Sequence, residues 1–394
     1  MVASKDINWL NVAILTVPPL AAIYGIATTQ ARLETLLWAV AYYFWTGLSI
    51  TAGYHRYWSH RSYDCSFPMK VFLALGGAGA MEGSIRWWSR GHRAHHRYTD
   101  SPKDPYDSSR GLLYSHIGWM VIKEDPSKMG RVDISDLNRD ELVMWQHKNY
   151  LWLGPLMAFL FPAIVAYIGW GDFWGGLFFA GMARLVFVHH ATFCVNSLAH
   201  YLGEASYDDR RTPRDHFITA LVTLGEGYHN FHHEFPSDYR NAVFFWQYDP
   251  TKWLIFIASL VGLTYNLKMF PENEVAKGRI QMQEKKIAEL KQKLNWGKPL
   301  EQLPEWEWTK FVSACEKDKK QYLVVDKVVY DCDGFMDEHP GGRGFLKTSI
   351  GRDVSASFNG AIYFHSNAAR NLATQMRVAK IVGEIPENDK AKEE

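Results

Sequence analysis

Two His-x-x-His-His clusters, His92/His95/His96 and His229/His232/His233, stand with a His55/His60 pair upstream of an isolated His339-Pro340-Gly341-Gly342 stretch. On an α-helix, positions i, i+3 and i+4 fall on one face, so each cluster can present three imidazoles to a single point. Neutral imidazole suits zinc, copper, iron and nickel alike. The downstream stretch narrows that choice. Its proline and glycines let a loop approach a flat macrocycle while the histidine points inward, which reads as a haem ligand. A redox-inert zinc would have no use for an electron carrier, whereas non-haem iron that activates O2 needs two electrons per turnover. Oxygen-dependent oxidation of a lipid follows as the leading reading. His55 and His60 are five apart, about 140° on a regular helix, so they either reach different metal ions or sit where the helix frays.

The elements that must position these residues read as membrane helices. Four apolar stretches, roughly 7–28, 33–52, 151–170 and 173–197, approach the ~20 residues needed to cross ~30 Å of hydrocarbon. Each pair is joined by only a few residues, so two tight hairpins are expected. The long segment between them, 53–150, is rich in Arg and Lys, including Arg56, Arg90, Arg93 and Lys123, and the positive-inside rule puts it in the cytosol. His55, His60 and His200 then lie just past span ends on that side, with every other clustered histidine. Two further apolar runs are too short to span with any margin: 67–81, read as a helix in or near the membrane surface, and 253–267.

Bulk composition fits a membrane seat. Hydrophobic residues make up 47% and aromatics 15%, with 16 Trp, a heavy aromatic load that suits a membrane interface. The mean hydropathy of −0.23 reflects dilution by a charged rear half. A formal net charge of +1 gives no global signal for a polyanion, and nucleic acid is not expected as a partner. Four scattered cysteines without a C-x-x-C pair fit a reducing compartment. From Pro271 to about Leu300, Glu, Lys and Gln dominate, with Ile280, Ile287, Leu290 and Leu294 near helical spacing, which predicts a solvated linker helix. The expected domains are therefore 1–270, a linker at 271–300, a compact domain at 301–387 and a disordered tail, Asn388–Glu394.

At the histidine boxes a resemblance emerges. His55-Arg56-Tyr57-Trp58-Ser59-His60, Gly91-His92-Arg93-Ala94-His95-His96 and Glu226-Gly227-Tyr228-His229-Asn230-Phe231-His232-His233 resemble the three boxes of the membrane-bound acyl-coenzyme A Δ9-desaturases, the stearoyl-coenzyme A desaturase family. His339-Pro340-Gly341-Gly342 and His365-Ser366 resemble the axial-ligand motifs of cytochrome b5, so the whole chain is similar to the fungal form with a fused donor. The fold this implies is an all-α integral membrane domain, four transmembrane helices under a cytosolic helical cap, followed by a small α+β cytochrome b5-like domain.

The resemblance also implies cofactors and site residues. Two non-haem iron ions would be held by His55, His60, His92, His95, His96, His229, His232 and His233, with His200 of Asn196-Ser197-Leu198-Ala199-His200 as ninth ligand and Asn196 acting through water. Haem b would sit between His339 and His365, where ligation by two histidines leaves no open position and favours electron transfer. Arg90 and Lys123 match contacts to the coenzyme A phosphates, and Trp88 and Thr192 match residues lining the bend of the acyl tunnel. Gly91 stands where animal relatives have an acidic residue. His189 and His190 match no ligand position and are read as packing or supporting residues; His116, His147 and His216 are read as structural.

An unactivated methylene has no proton that a side-chain base could remove, so a metal–oxygen oxidant is required. The implied reaction takes hydrogen first at C9 and then at C10 of a palmitoyl or stearoyl thioester. Its partners would be fatty acyl-CoA, O2, an NADH-cytochrome b5 reductase and membrane lipid, in the endoplasmic reticulum membrane. A membrane hydroxylase, a desaturase of another lipid, and a membrane-anchored electron carrier remain the alternatives.

Overall fold

The computed structural model describes residues 4–387 apart from 124 and 126; the tail expected at Asn388–Glu394 lies outside the described residues. The chain divides into two compact units, Met1–Lys285 and Lys286–Glu394.

The first unit is almost entirely helical. Helix α1, Trp9–Thr28, starts where the Asn8 side chain accepts from Asn11 N, satisfying an orphan donor of the first turn. Helix α2, Leu33–Leu48, runs directly into an eleven-residue π-helix, Ser49–Ser59. After a short connection come α3, Phe67–Gly79, and α4, Ile85–Tyr98, the latter capped by the Ser84 hydroxyl on Trp87 N. Further along, Glu141–Pro155 continues through a π-helical stretch into Phe161–Trp170, which ends on left-handed Gly171 at φ +73°. The returning helix of that hairpin ends in Arg184–Asn196 and Leu198–Tyr201.

Among the described residues three helices are long and apolar enough to cross a membrane: Trp9–Thr28, Glu141–Trp170 and Phe173–Tyr201. The second expected span, 33–52, is occupied by α2 and the start of its π-helical continuation, whose far end carries His55 and Arg56. The turns of the two hairpins are bonded together. Arg32 donates to Trp170 O at 3.0 Å, and Thr35 donates to the Asp172 carboxylate at 2.5 Å.

Close helix crossings account for the glycine run in α3. A Cβ on Gly77 would meet the Tyr54 ring at 2.3 Å, and one on Gly76 would meet Ser49 Oγ at 2.3 Å, so only glycine lets α3 lie against the π-helix. Arg184, buried within the last of the three long helices, spends its donors on the carbonyls of Ala180, Gly79 and Ala158 at 2.8–3.0 Å. Those bonds offset the cost of a cation at that depth.

The charged helix after Pro271 departs from expectation. It spans Glu272–Gln292, and its first half docks on the first unit instead of standing free. Val275 joins Tyr207, Phe231 and Phe235 in a buried cluster. Arg279 donates to Tyr207 Oη at 2.8 Å, and Lys285 pairs with Asp209 at 2.6 Å. Buried Val275 and Met282 are seven apart and share a face, whereas the noted stripe of Ile280, Ile287, Leu290 and Leu294 stays exposed.

The second unit is built on a four-stranded sheet ordered β3-β6-β5-β4, from β3 Glu305–Glu307, β4 Tyr322–Val325, β5 Val328–Asp331 and β6 Arg377–Val382. β3 and β6 run parallel and the other neighbours antiparallel. Strand β4 is buried on both faces because side chains alternate. Tyr322 and Val324 face a core with Trp308 and Phe311, while Leu323 and Val325 face one with Met336 and Val354.

Candidate metal centre and haem cleft

All nine predicted ligand histidines converge in the first unit, and they sort into two groups. His55, His60, His92, His96 and His232 form one; His95, His200, His229 and His233 form the other, with the ligating nitrogens of each group within 4.8 Å of one another. The expectation of three imidazoles aimed at one point from each His-x-x-His-His helix is corrected. On α4 the i, i+4 pair His92/His96 serves the first group and His95 the second. On the short helix His229–Glu234 the i, i+4 pair His229/His233 serves the second group and His232 the first. The reason lies in the 100° step of a helix: the i+3 and i+4 side chains fall on opposite sides of residue i. The groups adjoin, with the rings of His96 and His233 stacked 4.1 Å apart.

His55 and His60 belong to the same group, which removes the alternative of separate ions. The π-helix Ser49–Ser59 is wider than an α-helix, so five residues come close to a full turn, and His60 caps its end.

Cation binding fits this donor set. The Nε2 atoms face one another at 2.8 Å (His60–His92), 2.9 Å (His55–His232), 3.0 Å (His96–His232), 3.1 Å (His229–His233) and 3.2 Å (His200–His229). Two such nitrogens share at most one proton, so lone pairs are left pointing at common centres. Burial, reinforced by mutual repulsion, holds His60, His92, His96, His232 and His233 well below the usual imidazole range. They are therefore neutral, as metal ligands must be.

Carboxylates behind the rings complete the arrangement. His55 Nδ1 donates to Glu226 Oε2 at 2.9 Å, and His95 Nδ1 donates to Asp104 at 2.9 Å, so each group has one carboxylate-backed histidine. His200 Nδ1 lies 2.7 Å from Thr212 Oγ1. Such bonds select the tautomer that leaves Nε2 free. Glu226 is locked in turn by Arg56 at 2.8 Å, whose guanidinium also grips both oxygens of Asp249. Burial alone would raise the Glu226 carboxyl, but its interactions with His55 and Arg56 outweigh it and hold it at about 2.

A cavity with about 870 Å³ of free space, its open mouth included, leads to this centre. His55, His92 and Asn196 line it with Trp88, Thr192, Tyr43, Val188 and Trp119. Trp88 stacks on His92 at 5.0 Å. Trp88 Nε1 and Thr192 Oγ1 both donate to the Glu82 carboxylate, at 3.2 and 2.7 Å, which joins the two predicted tunnel residues across the cavity. Burial raises the Glu82 carboxyl to about 7 against those two bonds. Arg90 and Lys123 are in neither histidine group and do not line the cavity. Arg90 follows the lining residue Trp87 by three positions and Lys123 follows Met120 by three; Lys123 Nζ donates to Lys5 O at 2.8 Å.

The comparisons with known proteins agree with this geometry. The fatty acid desaturase family model matches residues 33–262, and the cytochrome b5-like heme/steroid binding domain model matches 307–382. The chain is 53% identical to the probable acyl-CoA desaturase of Schizosaccharomyces pombe and 48% identical to acyl-CoA desaturase 1 of Saccharomyces cerevisiae. Each alignment covers 96% of this chain, and 78% and 74% of the relative. With the Caenorhabditis elegans Delta(9)-fatty-acid desaturase fat-7, identity is 37% over 69% of this chain and 82% of that protein. The chain belongs to the fatty acid desaturase family.

The desaturase carries its haem-type cleft in the second unit. His339 and His365 face each other with ring centroids 6.4 Å apart and planes within 26°. Each Nδ1 donates to a backbone carbonyl, His339 to Gly342 O at 3.2 Å and His365 to Phe358 O at 3.1 Å, which turns both Nε2 atoms toward the gap. A Cβ on Gly341 would come within 2.8 Å of the His339 ring, and Gly342 is left-handed at φ +91°, so the glycines are sterically required. Phe345, Ile362, Tyr363 and Phe364 stand exposed in the same segments, an apolar surface of the kind a haem face covers. The residues present fit a haem.

Sequence reasoning missed the supporting residues of this desaturase. Glu226 lies inside a quoted box without a role assigned to it, and Asp104, Asp249 and Glu82 carry no motif at all. The other histidines are satisfied elsewhere. His189 donates to Ala80 O, His116 bonds His190 and Ser197, His147 meets Ser84, and His216 caps a helix at Thr219.

Proposed function

We propose that this desaturase inserts a cis double bond between C9 and C10 of palmitoyl- or stearoyl-CoA, using O2 and electrons from its own haem domain. The balance is R–CH2–CH2–R′ + O2 + 2 e⁻ + 2 H⁺ → R–CH=CH–R′ + 2 H2O. One observation carries the reading: a cavity lined by Trp88 and Thr192 ends on two adjoining groups of imidazoles, His55 and His92 forming part of its wall. The names of the relatives, acyl-CoA and Delta(9) desaturases, support the substrate and the bond.

Two non-haem iron ions, one per histidine group, would supply the oxidising power for an unactivated C–H bond. The chain's residues do the positioning. Glu226 and Asp104 hold His55 and His95 in the tautomer that offers Nε2. Asn196, at the cavity wall one turn before His200, is placed to hold a water at the centre. The Trp88–Glu82–Thr192 bridge shapes the bend where the acyl chain turns. Tyr43, Val188 and Trp119 exclude water from the chain's path. Arg90 and Lys123, each three residues from the cavity wall, suit the phosphates of the coenzyme.

In the second unit, His339 and His365 would hold haem b, which would supply electron transfer from an NADH-cytochrome b5 reductase. The covalent tether raises the donor's local concentration to about the millimolar range. Four membrane crossings, the second made by α2, would place both units on the cytosolic side of the endoplasmic reticulum membrane. The domains are taken as 1–270, a linker at 271–300, and 301–387.

Gas chromatography of fatty acids from cells lacking their own desaturase and expressing this chain tests the proposal. Palmitoleic or oleic acid is expected; a 9-hydroxy acid or a double bond elsewhere overturns it.

A further inference from the structure

The 253–267 run, too short to span, has a second partner in the fold: three consecutive aromatics, Phe244, Phe245 and Trp246, which are 40%, 67% and 75% exposed. Phe244 and Trp246 stack at 4.8 Å, and Phe245 meets Phe256 of helix Pro250–Leu260 edge-on at 6.1 Å. The outer face of that helix continues the apolar surface through Ile257, Leu260 and Val261.

The backbone beneath these aromatics is finished from within. Lys252 Nζ, buried, donates to Ala242 O at 3.0 Å and Phe244 O at 2.6 Å. Trp253 Nε1 donates to Phe245 O at 2.9 Å, and the Gln247 side chain accepts from Phe244 N at 2.9 Å. A loop in water leaves carbonyls to the solvent; a loop in hydrocarbon must satisfy them internally. A lysine turned inward to two carbonyls beneath exposed aromatics is the second arrangement. Arg279 stands 5.7 Å from the Phe244 ring, a cation at the rim of an aromatic patch, as at membrane interfaces.

Position agrees. The helix packs on the π-helix Ser49–Ser59 that continues α2. Its N-terminal Asp249 grips Arg56, and strand β2, Thr264–Tyr265, just beyond it pairs with β1, Asp64–Cys65, just before α3. The surface therefore continues into exposed Phe67 and Phe72 of α3. Eleven residues make about 16 Å of helix, half the hydrocarbon thickness, so it is too short to cross.

We propose that Phe244–Trp246 and the outer face of Pro250–Leu260 insert into the bilayer as a non-spanning foot, seating in lipid the segment whose Asp249 clamps Arg56 behind the metal centre. This rests on the reading of the first unit as a membrane-spanning enzyme. The occupant is the phospholipid layer itself.

Spin labels test it on the full-length holoenzyme in phosphatidylcholine–phosphatidylserine nanodiscs, with half-buried Cys194 and Cys315 replaced by Ser. Labels are placed at Phe245→Cys and, should that variant misfold, Trp246→Cys. Ile23→Cys in α1 is the lipid control and Arg210→Cys the aqueous one, with retained non-haem iron confirming the integrity of the first unit. The expected result is an oxygen-to-nickel-chelate collision ratio at 245 several-fold above that at 210 and close to that at 23. A ratio at 245 matching 210, with 23 in lipid, overturns the foot and leaves the membrane reading standing. Water access at 23 overturns both. A label at 245 shielded from both reagents marks a protein or a second copy on this face, and also overturns the foot.

Discussion

The two histidine sites of this chain are built on opposite plans. In the first unit nine imidazoles from four segments, spread from His55 to His233, meet in a buried centre backed by Glu226 and Asp104. In the second, His339 and His365 come from neighbouring loops, are oriented by nearby backbone carbonyls, and stay half-exposed beside apolar side chains. The contrast follows from the chemistry. A site that oxidises a methylene has to be shielded from water and held rigid, whereas a site that hands over electrons needs an accessible edge and only two ligands.

Breaking either site alone separates the plans most sharply. His92→Ala or His233→Ala should reduce desaturation to background and lower non-haem iron, while the haem band is unchanged. Iron quantitation beside the haem spectrum checks this, and retained non-haem iron would contradict the ligand assignment. His339→Ala should do the reverse. The haem band and self-supplied turnover are lost, non-haem iron is kept, and activity returns on adding cytochrome b5. Deleting the chain from Pro304 should behave alike, and full turnover without any added donor would refute a role for the second unit.

The carboxylates give the next smaller effect. Glu226→Gln keeps the shape but not the charge behind His55, and metal affinity should fall about 10–100-fold. Glu226→Ala should also take one of its two carboxylate partners from buried Arg56, leaving Asp249, and destabilise the fold by about 1–3 kcal/mol. Metal titration and thermal unfolding of the pair distinguish positioning from mere packing, because only a positioning role moves iron affinity in the Gln variant.

The smallest effect belongs to Glu82. Its folded carboxyl is raised to about 7 against an ordinary value near 4.3, so its protonated form is favoured by folding. That contribution is fully present below about pH 4.3 and is lost as pH rises through about 7. Relative to Glu82→Gln, the wild-type melting temperature should decline across this window and level off above it. A constant difference between the two proteins would show that Glu82 does not titrate there.

What could be read in advance, and what could not, divides along particular residues. The histidines were legible because three boxes within one chain leave little room for coincidence, and His200 because it sits in a matching stretch after an apolar run. Their sorting was not legible: it depends on the π-helix that brings His55 and His60 together, and on the facing of two helices distant in sequence. Asp104 and Asp249 look like ordinary surface acids until the fold buries them. The docking of the first half of Glu272–Gln292 was missed because Val275 and Met282 are too sparse among its charges to stand out.

By itself the order of residues determined the kinds of chemistry here: imidazoles in helical spacing for metal, a proline–glycine loop for a flat macrocycle, and apolar stretches of membrane length. Those are local properties, fixed by side-chain type and by the repeat of a helix. Only the tertiary structure decided which nitrogen meets which, which acids stand behind them, and which exposed aromatics have their backbone closed off from water. Those outcomes depend on contacts between segments up to two hundred residues apart, and no local pattern encodes them.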